Sequence, residues 1–317
     1  MDIQNIKDLR DRLYGNISNI IVGKGKTIEL IIVALLSKGH VLIEDRPGTG
    51  KTMLAKAVAL SMSGEFKRIQ FTPDLMPSDV TGINIYNQKE AEFKLMRGPV
   101  FTNILLADEI NRATPRTQSS LLEAMEEKQV TIDGETLKLR EPFMVLATEN
   151  PIETTGTYPL PEAQLDRFFM KLDMGENEKQ DELSIIDRYI NSTPLNDIKP
   201  VCGIDEIIEA QKAVSGVYVH QCVREYIVDI IMETRKCKSL VSGVSSRGTL
   251  AITTASQAYA AINGRSYVEP DDVIYVAPYV LSHRVCASGY GTSYKRGLEI
   301  IRNLVSEVTV PIEKWEL

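Results

Sequence analysis

The chain has 317 residues, length enough for two domains of ~150 residues each, and its 43% hydrophobic and 25% charged content is that of an ordinary globular protein. A net charge of −7 argues against free nucleic acid as a default partner, leaving only local basic patches for such contact. The four cysteines form no C-x-x-C pair and the three histidines are scattered, which argues against a zinc centre. No apolar stretch approaches the ~20 residues of a membrane span. The charged opening MDIQNIKDLRDRLYGN lacks the apolar core of a signal peptide, so a cytoplasmic protein with reduced thiols is expected.

In chain order, Ile3, Ile6, Leu9 and Leu13 predict an amphipathic helix over 2–14, and a second helix covers 26–37, ended by Gly39. Val41-Leu42-Ile43 reads as a strand. It turns through Asp45-Arg46-Pro47-Gly48-Thr49-Gly50-Lys51-Thr52 into a helical run that opens at Met53. Strand, glycine-rich turn and helix are the context of a phosphate-binding loop. The first amides of a helix have no partner within it and carry the positive end of its dipole. Gly48 and Gly50 let the backbone approach phosphate oxygens closely. Lys51 is placed to reach the β- and γ-phosphates of ATP, and the Thr52 hydroxyl to ligate Mg²⁺. In the pattern G-x-x-x-x-G-K-[ST] the first glycine is replaced here by Asp45.

Residues 67–71 alternate as a second strand, and 73–80 suit a short turn-rich helix. Residues 83–86 and 92–96 flank a polar turn and predict a hairpin. Residues 104–107 are wholly apolar, the mark of a strand buried in a parallel sheet. A helix follows over 117–128. The hairpin 129–132/136–139 is carried by Asp133-Gly134, the strongest turn signal in the chain. Strands at 143–147 and 168–172 complete the part, so a parallel sheet covered on both faces is expected, with the hairpins as insertions. From about residue 177 the pattern is helical: 182–191, a linker at Ser192-Thr193-Pro194-Leu195-Asn196-Asp197, then 204–214, 223–236, 246–262 and 271–281. The boundary falls near 175, giving an α/β core over 1–175 and a helical domain over 176–317.

The strand at 104–107 ends in Asp108-Glu109. In a parallel sheet the carboxyl ends of strands face the ligand crevice. Asp108 is therefore a second Mg²⁺ ligand, acting through water, and Glu109 a candidate to activate the water that attacks the γ-phosphate. Taken alone, Asp-Glu after an apolar run reads as a helix start; the phosphate loop upstream changes that reading. Asn150, at the end of the next strand, suits a hydrogen bond to the attacking water or the γ-phosphate, and equally suits a turn.

Four stretches, GHVLIEDRPGTGKT, FTPDLMPSDVTG, GPVFTNILLADEINRATPRTQSSLLEAMEEKQVTIDG and ATENPIETTGTYPLPEAQLDRF, resemble the MoxR group of AAA+ ATPases, as do SSRGTL and YVEPDDV further on. The resemblance implies an AAA+ P-loop core with a parallel sheet and β-hairpin inserts, followed by an all-α lid. It implies Val22 and Gly23 at the adenine, and Asn150 at the sensor-1 position. Arg167 matches an arginine finger reaching the γ-phosphate of a neighbouring subunit, with Arg112 and Arg116 as rivals, and Arg247 matches sensor 2 on the lid. It further implies that the hairpins are the helix-2 insert and the pre-sensor-1 hairpin, which face the pore in ring-forming relatives. A homo-hexameric ring, a chaperone-like remodelling role and a partner carrying a von Willebrand factor A domain are also implied.

Three functions stay open on sequence: an ATP-hydrolysing remodelling factor, a nucleic-acid motor of the same branch, and a nucleotide-gated switch with little turnover. The acidic tip Thr131-Ile132-Asp133-Gly134-Glu135, with only Lys138 and Arg140 nearby, speaks against the motor. Asp45 motivates the switch.

Overall fold

The computed structural model describes residues 1–46, 48–150, 156–190, 194–196, 198–287 and 294–311. Pro47 of the loop, residues 151–155 of the last core motif, and Asn191, Ser192, Thr193 and Asp197 around the linker lie outside the described residues. Two helices come first, α1 (Ile3–Ser18) and α2 (Gly25–Leu36). They lead into β1 (Val41–Glu44), α3 (Lys51–Ser61), β2 (Phe66–Gln70), α4 (Pro77–Thr81) and the hairpin β3 (Gly82–Asn87)–β4 (Glu92–Arg97). Next are β5 (Ile104–Asp108), α5 (Pro115–Glu127), the hairpin β6 (Gln129–Ile132)–β7 (Glu135–Lys138), β8 (Met144–Glu149), α6 (Glu162–Leu165) and β9 (Met170–Leu172). The remainder is helical: α7 (Lys179–Tyr189), α8 (Ile204–Val214), α9 (Gln221–Lys236), α10 (Ser246–Ile262), α11 (Pro270–Leu281) and α12 (Tyr294–Glu307). A short ribbon pairs β10 (Leu240–Ser242) with β11 (Cys286–Ala287).

The central sheet has the order β2-β5-β8-β1-β9 and every pairing in it is parallel. Alternation along each strand sorts its side chains into two layers. Val41, Ile43, Ile104, Leu106, Met144 and Leu146 face the layer that holds α1, α2 and α3. Leu42, Leu105, Ala107, Val145 and Ala147 face the layer that holds α5 and the β6–β7 hairpin. Both faces are therefore dry, and these strands read as continuous apolar runs for that reason. The first layer continues without a break into the helical part: Ile6, Ile28, Ile207, Ile252 and Val276 belong to the same apolar cluster as Ile43. The β6–β7 turn has positive φ at both Asp133 (49°) and Gly134 (85°), as a two-residue hairpin turn requires.

Several expected elements shift: the first helix runs on to Ser18, the one placed at 73–80 is Pro77–Thr81, and two more have a clear cause. The strand placed at 168–172 starts at Met170, because the Phe168 amide donates to the Leu165 carbonyl and the Phe169 amide to that of His40. The helix placed at 182–191 starts at Lys179, where Glu178 and Asp181 cap its first turn reciprocally.

The His40 ring ties the amino end of β1 to β8 and to α5. The Val145 amide donates to its Nδ1 (2.9 Å), so Nε2 carries the proton and donates to the Met125 carbonyl (3.1 Å). A second proton would cost the Val145 bond, and burial brings the imidazole pKa down to about 4 from 6.5. Folded His40 thus binds fewer protons than the unfolded chain between those values. Its contribution is full above pH 6.5 and is lost as pH falls toward 4, by about 2 kcal/mol at pH 5. Urea unfolding at pH 7 and pH 5 should show this loss, and His40→Gln should remove about 2 kcal/mol of the pH dependence.

Candidate functional site

The loop after β1 returns to a helix through Gly48 (φ 86°) and Gly50 (φ 89°), both left-handed, and Gly50 caps α3. A Cβ at either glycine would meet nothing within 4 Å, so the space over the loop is open. That space is a cleft of about 390 Å³ at the carboxyl ends of the strands. Gly48, Gly50, Lys51, Thr52, Met53, Asp108, Glu109 and Asn150 line it, so most of the expected phosphate-site residues converge there. Lys51 Nζ donates to the carbonyls of Asp45 (2.9 Å) and Arg46 (3.1 Å) across the loop. Burial pulls the Lys51 ammonium below its usual pKa, while Asp45, Asp108 and Glu109 pull the other way.

The acid pair is held by three neighbours that sequence reasoning missed. Thr148 on β8 donates to Asp108 Oδ1 (2.6 Å) and accepts from the Glu109 amide (2.8 Å). Gln70 on β2 donates to Glu109 Oε2 (2.9 Å), and Arg68, two residues earlier on the same strand, donates to Asp108 Oδ2 (2.6 Å). Arg112 also reaches Glu109 Oε2 (2.8 Å) within the chain. Glu109 itself is left-handed (φ 56°, ψ 51°), a strained turn at the strand end that aims its carboxylate into the cleft. The available signal was the polar i, i+2 pair Arg68/Gln70 at the carboxyl end of a strand that pairs Gln70 with Asp108.

Thr52 and Asp108 bring a hydroxyl and a carboxylate to this cleft. Mg²⁺ prefers oxygen ligands, keeps several waters, and arrives with nucleotide phosphates, so this donor set fits it. Among the described residues no group of three or more His, Cys, Asp or Glu side chains could hold a metal by itself.

An apolar pocket of about 290 Å³ adjoins the loop and is lined by Ile20, Ile21, Val22, Met53, Ile185 and Tyr189. Its walls suit a planar base. Gly23 (φ 72°) does not line it; its Cα hydrogens face the Asp181 carboxylate on α7, where a Cβ would come within 2.4 Å of Oδ2. Asp45 and Arg46, expected on the nucleotide, line an adjoining cleft of about 630 Å³ together with Gly48 and Thr49 of the loop and with Glu44, Asp173 and Lys295. Asp45 is not left-handed, so its replacement of glycine costs no backbone strain, and its Oδ1 takes the Arg46 amide (2.7 Å).

Arg167 and Arg247 are not brought to the phosphate loop of their own chain. Both pair with Glu126 of α5, Arg167 Nε at 3.1 Å from Oε2 and Arg247 closer at Oε1. They line a cleft of about 350 Å³ with Gly39, His40 and Phe169, residues that precede β1 and β9. This is the amino end of the sheet. The phosphate loop stands at the other end, roughly 13 Å away for a four-residue strand. Buried Arg284 holds Asp166 at 2.8 Å, and Ser245 donates to the same carboxylate (3.0 Å), so lid and core grip the segment carrying Arg167. Arg116 lies exposed in the first turn of α5.

A parallel sheet with a glycine loop after one strand, an acid pair after its neighbour but one, and a helical domain behind is the architecture of the AAA+ class of P-loop proteins. Comparison with known proteins agrees. The family model described as ATPase family associated with various cellular activities (AAA) matches residues 40–170, and an AAA lid domain model matches 232–295. The chain is 47% identical to the uncharacterised protein YeaC of Bacillus subtilis over 98% of both chains. It is 42% identical to the chaperone MoxR1 of Mycobacterium tuberculosis, over 93% of this chain and 80% of that one. A crystal structure of a candidate ATPase from Cytophaga hutchinsonii superposes with a TM-score of 0.89 at 34% identity, covering 98% of this chain and 97% of the other. The chain belongs to the MoxR family of AAA+ ATPases.

Proposed function

We propose that the protein binds Mg²⁺–ATP over the Gly48–Thr52 loop, hydrolyses it, and uses the cycle to remodel partner proteins as a homo-hexameric ring. What supports this reading above all is the convergence of Lys51, Thr52, Asp108, Glu109 and Asn150 on one cleft at the carboxyl end of the sheet. Lys51 and the loop amides bind the phosphates. Thr52 and Asp108 hold the metal, which when bound withdraws charge from the phosphates. Glu109 takes a proton from the attacking water, and Asn150 orients that water. The base lies against Val22, Met53 and Ile185. Residues 1–175 act as the nucleotide-binding core and 176–317 as the lid. Arg167 and Arg247, which share Glu126 at the far end of the sheet, serve the site of the next subunit.

The client surface is the β3–β4 hairpin. Among its charged side chains it exposes large apolar ones, Ile83, Ile85, Tyr86, Phe93 at 71% and Met96 at 59%, and Tyr86 packs on Phe93 with ring centroids 5.3 Å apart. An apolar, weakly basic hairpin suits polypeptide better than a phosphate backbone, which favours a remodelling factor over a nucleic-acid motor. The relative named chaperone MoxR1 supports a chaperone-like role. A partner with a von Willebrand factor A domain and a cytoplasmic location complete the proposal. Among the described residues no helix is long and apolar enough to cross a membrane.

Lys51→Ala tests the reading. ATP affinity by calorimetry is expected to fall ~100-fold, the order of losing a charge-assisted contact to phosphate in a partly buried site. An unchanged affinity would remove the phosphate loop from the account.

A further inference from the structure

Arg68 stands inside the candidate site, and the roles assigned so far give it nothing beyond holding Asp108. It projects from β2 into the same cleft as Lys51 and Thr52. Its Nη2 donates to Asp108 Oδ2 (2.6 Å) and to Gln70 Oε1 (3.0 Å). Thr148 occupies the other oxygen of that carboxylate, at 2.6 Å. Both oxygens of the residue assigned to Mg²⁺ therefore carry protein donors. A guanidinium stays charged at any physiological pH, so a metal approaching Asp108 always meets a second cation. The Arg68 side chain is 47% exposed, and an ion pair this open to water is weak and exchangeable. Its planar fork matches phosphate oxygens as well as it matches a carboxylate.

Resting on the Mg²⁺–ATP reading above, we propose that Arg68 is a further nucleotide-binding residue, which trades Asp108 for the terminal phosphates and so sets the Mg²⁺ concentration at which nucleotide is held. As long as Arg68 sits on Asp108, it competes with the metal. Once turned to the phosphates, it supplies in the same chain a positive charge beside that of Lys51. The two effects have opposite signs, and this separates the proposal from a structural role. A residue that merely packs the end of β2 would weaken both kinds of binding when replaced.

The test is equilibrium binding of a non-hydrolysable ATP analogue to the full chain, for Arg68→Gln and Arg68→Lys beside the parent. For Arg68→Gln the Mg²⁺ needed for half-saturation is expected to fall ~5-fold, as a competing cation leaves. Its affinity for the analogue in EDTA is expected to fall ~10-fold, as a charged hydrogen bond to phosphate is lost. Arg68→Lys should lie between, since it keeps the charge without the fork. Unchanged values in both titrations would reduce Arg68 to a surface ion pair. Parallel weakening in both would make it a packing residue. Either outcome overturns the proposal while leaving the Mg²⁺–ATP reading standing, provided Lys51→Ala abolishes binding in the same assay. A parent chain that binds no analogue at any Mg²⁺ concentration overturns both.

Discussion

Glu109→Gln is expected to slow ATP hydrolysis by ~10²–10⁴-fold, the range a positioned general base contributes, while ATP affinity stays within a few-fold of the parent. The substitution is close to isosteric. Glu109 Oε2 accepts from Gln70 Nε2 (2.9 Å) and from Arg112 Nε (2.8 Å), and the amide oxygen of glutamine can take the same place. The left-handed backbone at residue 109 is fixed by its own amide on Thr148 Oγ1 (2.8 Å), which the side-chain change does not touch. What disappears is the ability to accept a proton. Single-turnover phosphate release measures the chemical step, and calorimetry measures binding. Hydrolysis at the parental rate would remove Glu109 from the role of base. A parent as slow as the variant would leave a nucleotide-gated switch as the surviving function. Because Gln70 and Arg112 both hold Glu109, their replacement should change the rate through its position, by smaller factors than loss of the carboxylate.

How far the fold could be read from sequence followed the kind of interaction that stabilises each part. The sheet was legible because β5 and β8 are buried on both faces, and burial on both faces writes an unbroken apolar run into the chain. The β6–β7 hairpin was legible because Asp133-Gly134 accepts positive φ at low cost. The start of α7 was misplaced because no residue of that helix is buried, so no apolar stripe marks its first turn. Helix α12 is legible by such a stripe, since Leu298, Ile301, Leu304 and Val305 are buried at helical spacing. In the site, the loop, Thr52 and the acid pair are local motifs. Arg68, Gln70 and Thr148 touch the acid pair only because β2, β5 and β8 are neighbours, and strand order is a tertiary fact that no window along the chain contains. The meeting of Arg167 and Arg247 on Glu126 was hidden for the same reason, since it joins core, lid and α5 from three distant segments.

That meeting underlies the prediction with the largest expected effect. Arg167→Ala should lower the ATPase rate ~10³-fold or more, as loss of an arginine finger does, with each subunit still binding ATP. Within one chain, the Arg167 guanidinium is at the amino end of the sheet and the phosphate loop is at the carboxyl end. In the ring proposed above, a finger so placed would serve a neighbour, because a head-to-tail interface would set one subunit's amino-end face against the next one's cleft. This makes a prediction that no role within a single chain can mimic. Lys51→Ala subunits keep a sound finger and lose their own loop; Arg167→Ala subunits keep the loop and lack the finger. Co-assembled in equal amounts, the two inactive variants should recover about a quarter of the parental rate, since with random order about one interface in four joins an intact loop to an intact finger. Arg112 is a weaker rival, being tied to Glu109 of its own chain at 2.8 Å, and Arg116 stands exposed on α5. Mixed rings that assemble, as mass measurement would show, and stay inactive would transfer the finger to one of these two residues. Recovery with Arg167 variants, together with Arg116→Ala subunits that hydrolyse ATP on their own, would fix the contact between subunits to the face that Glu126 organises.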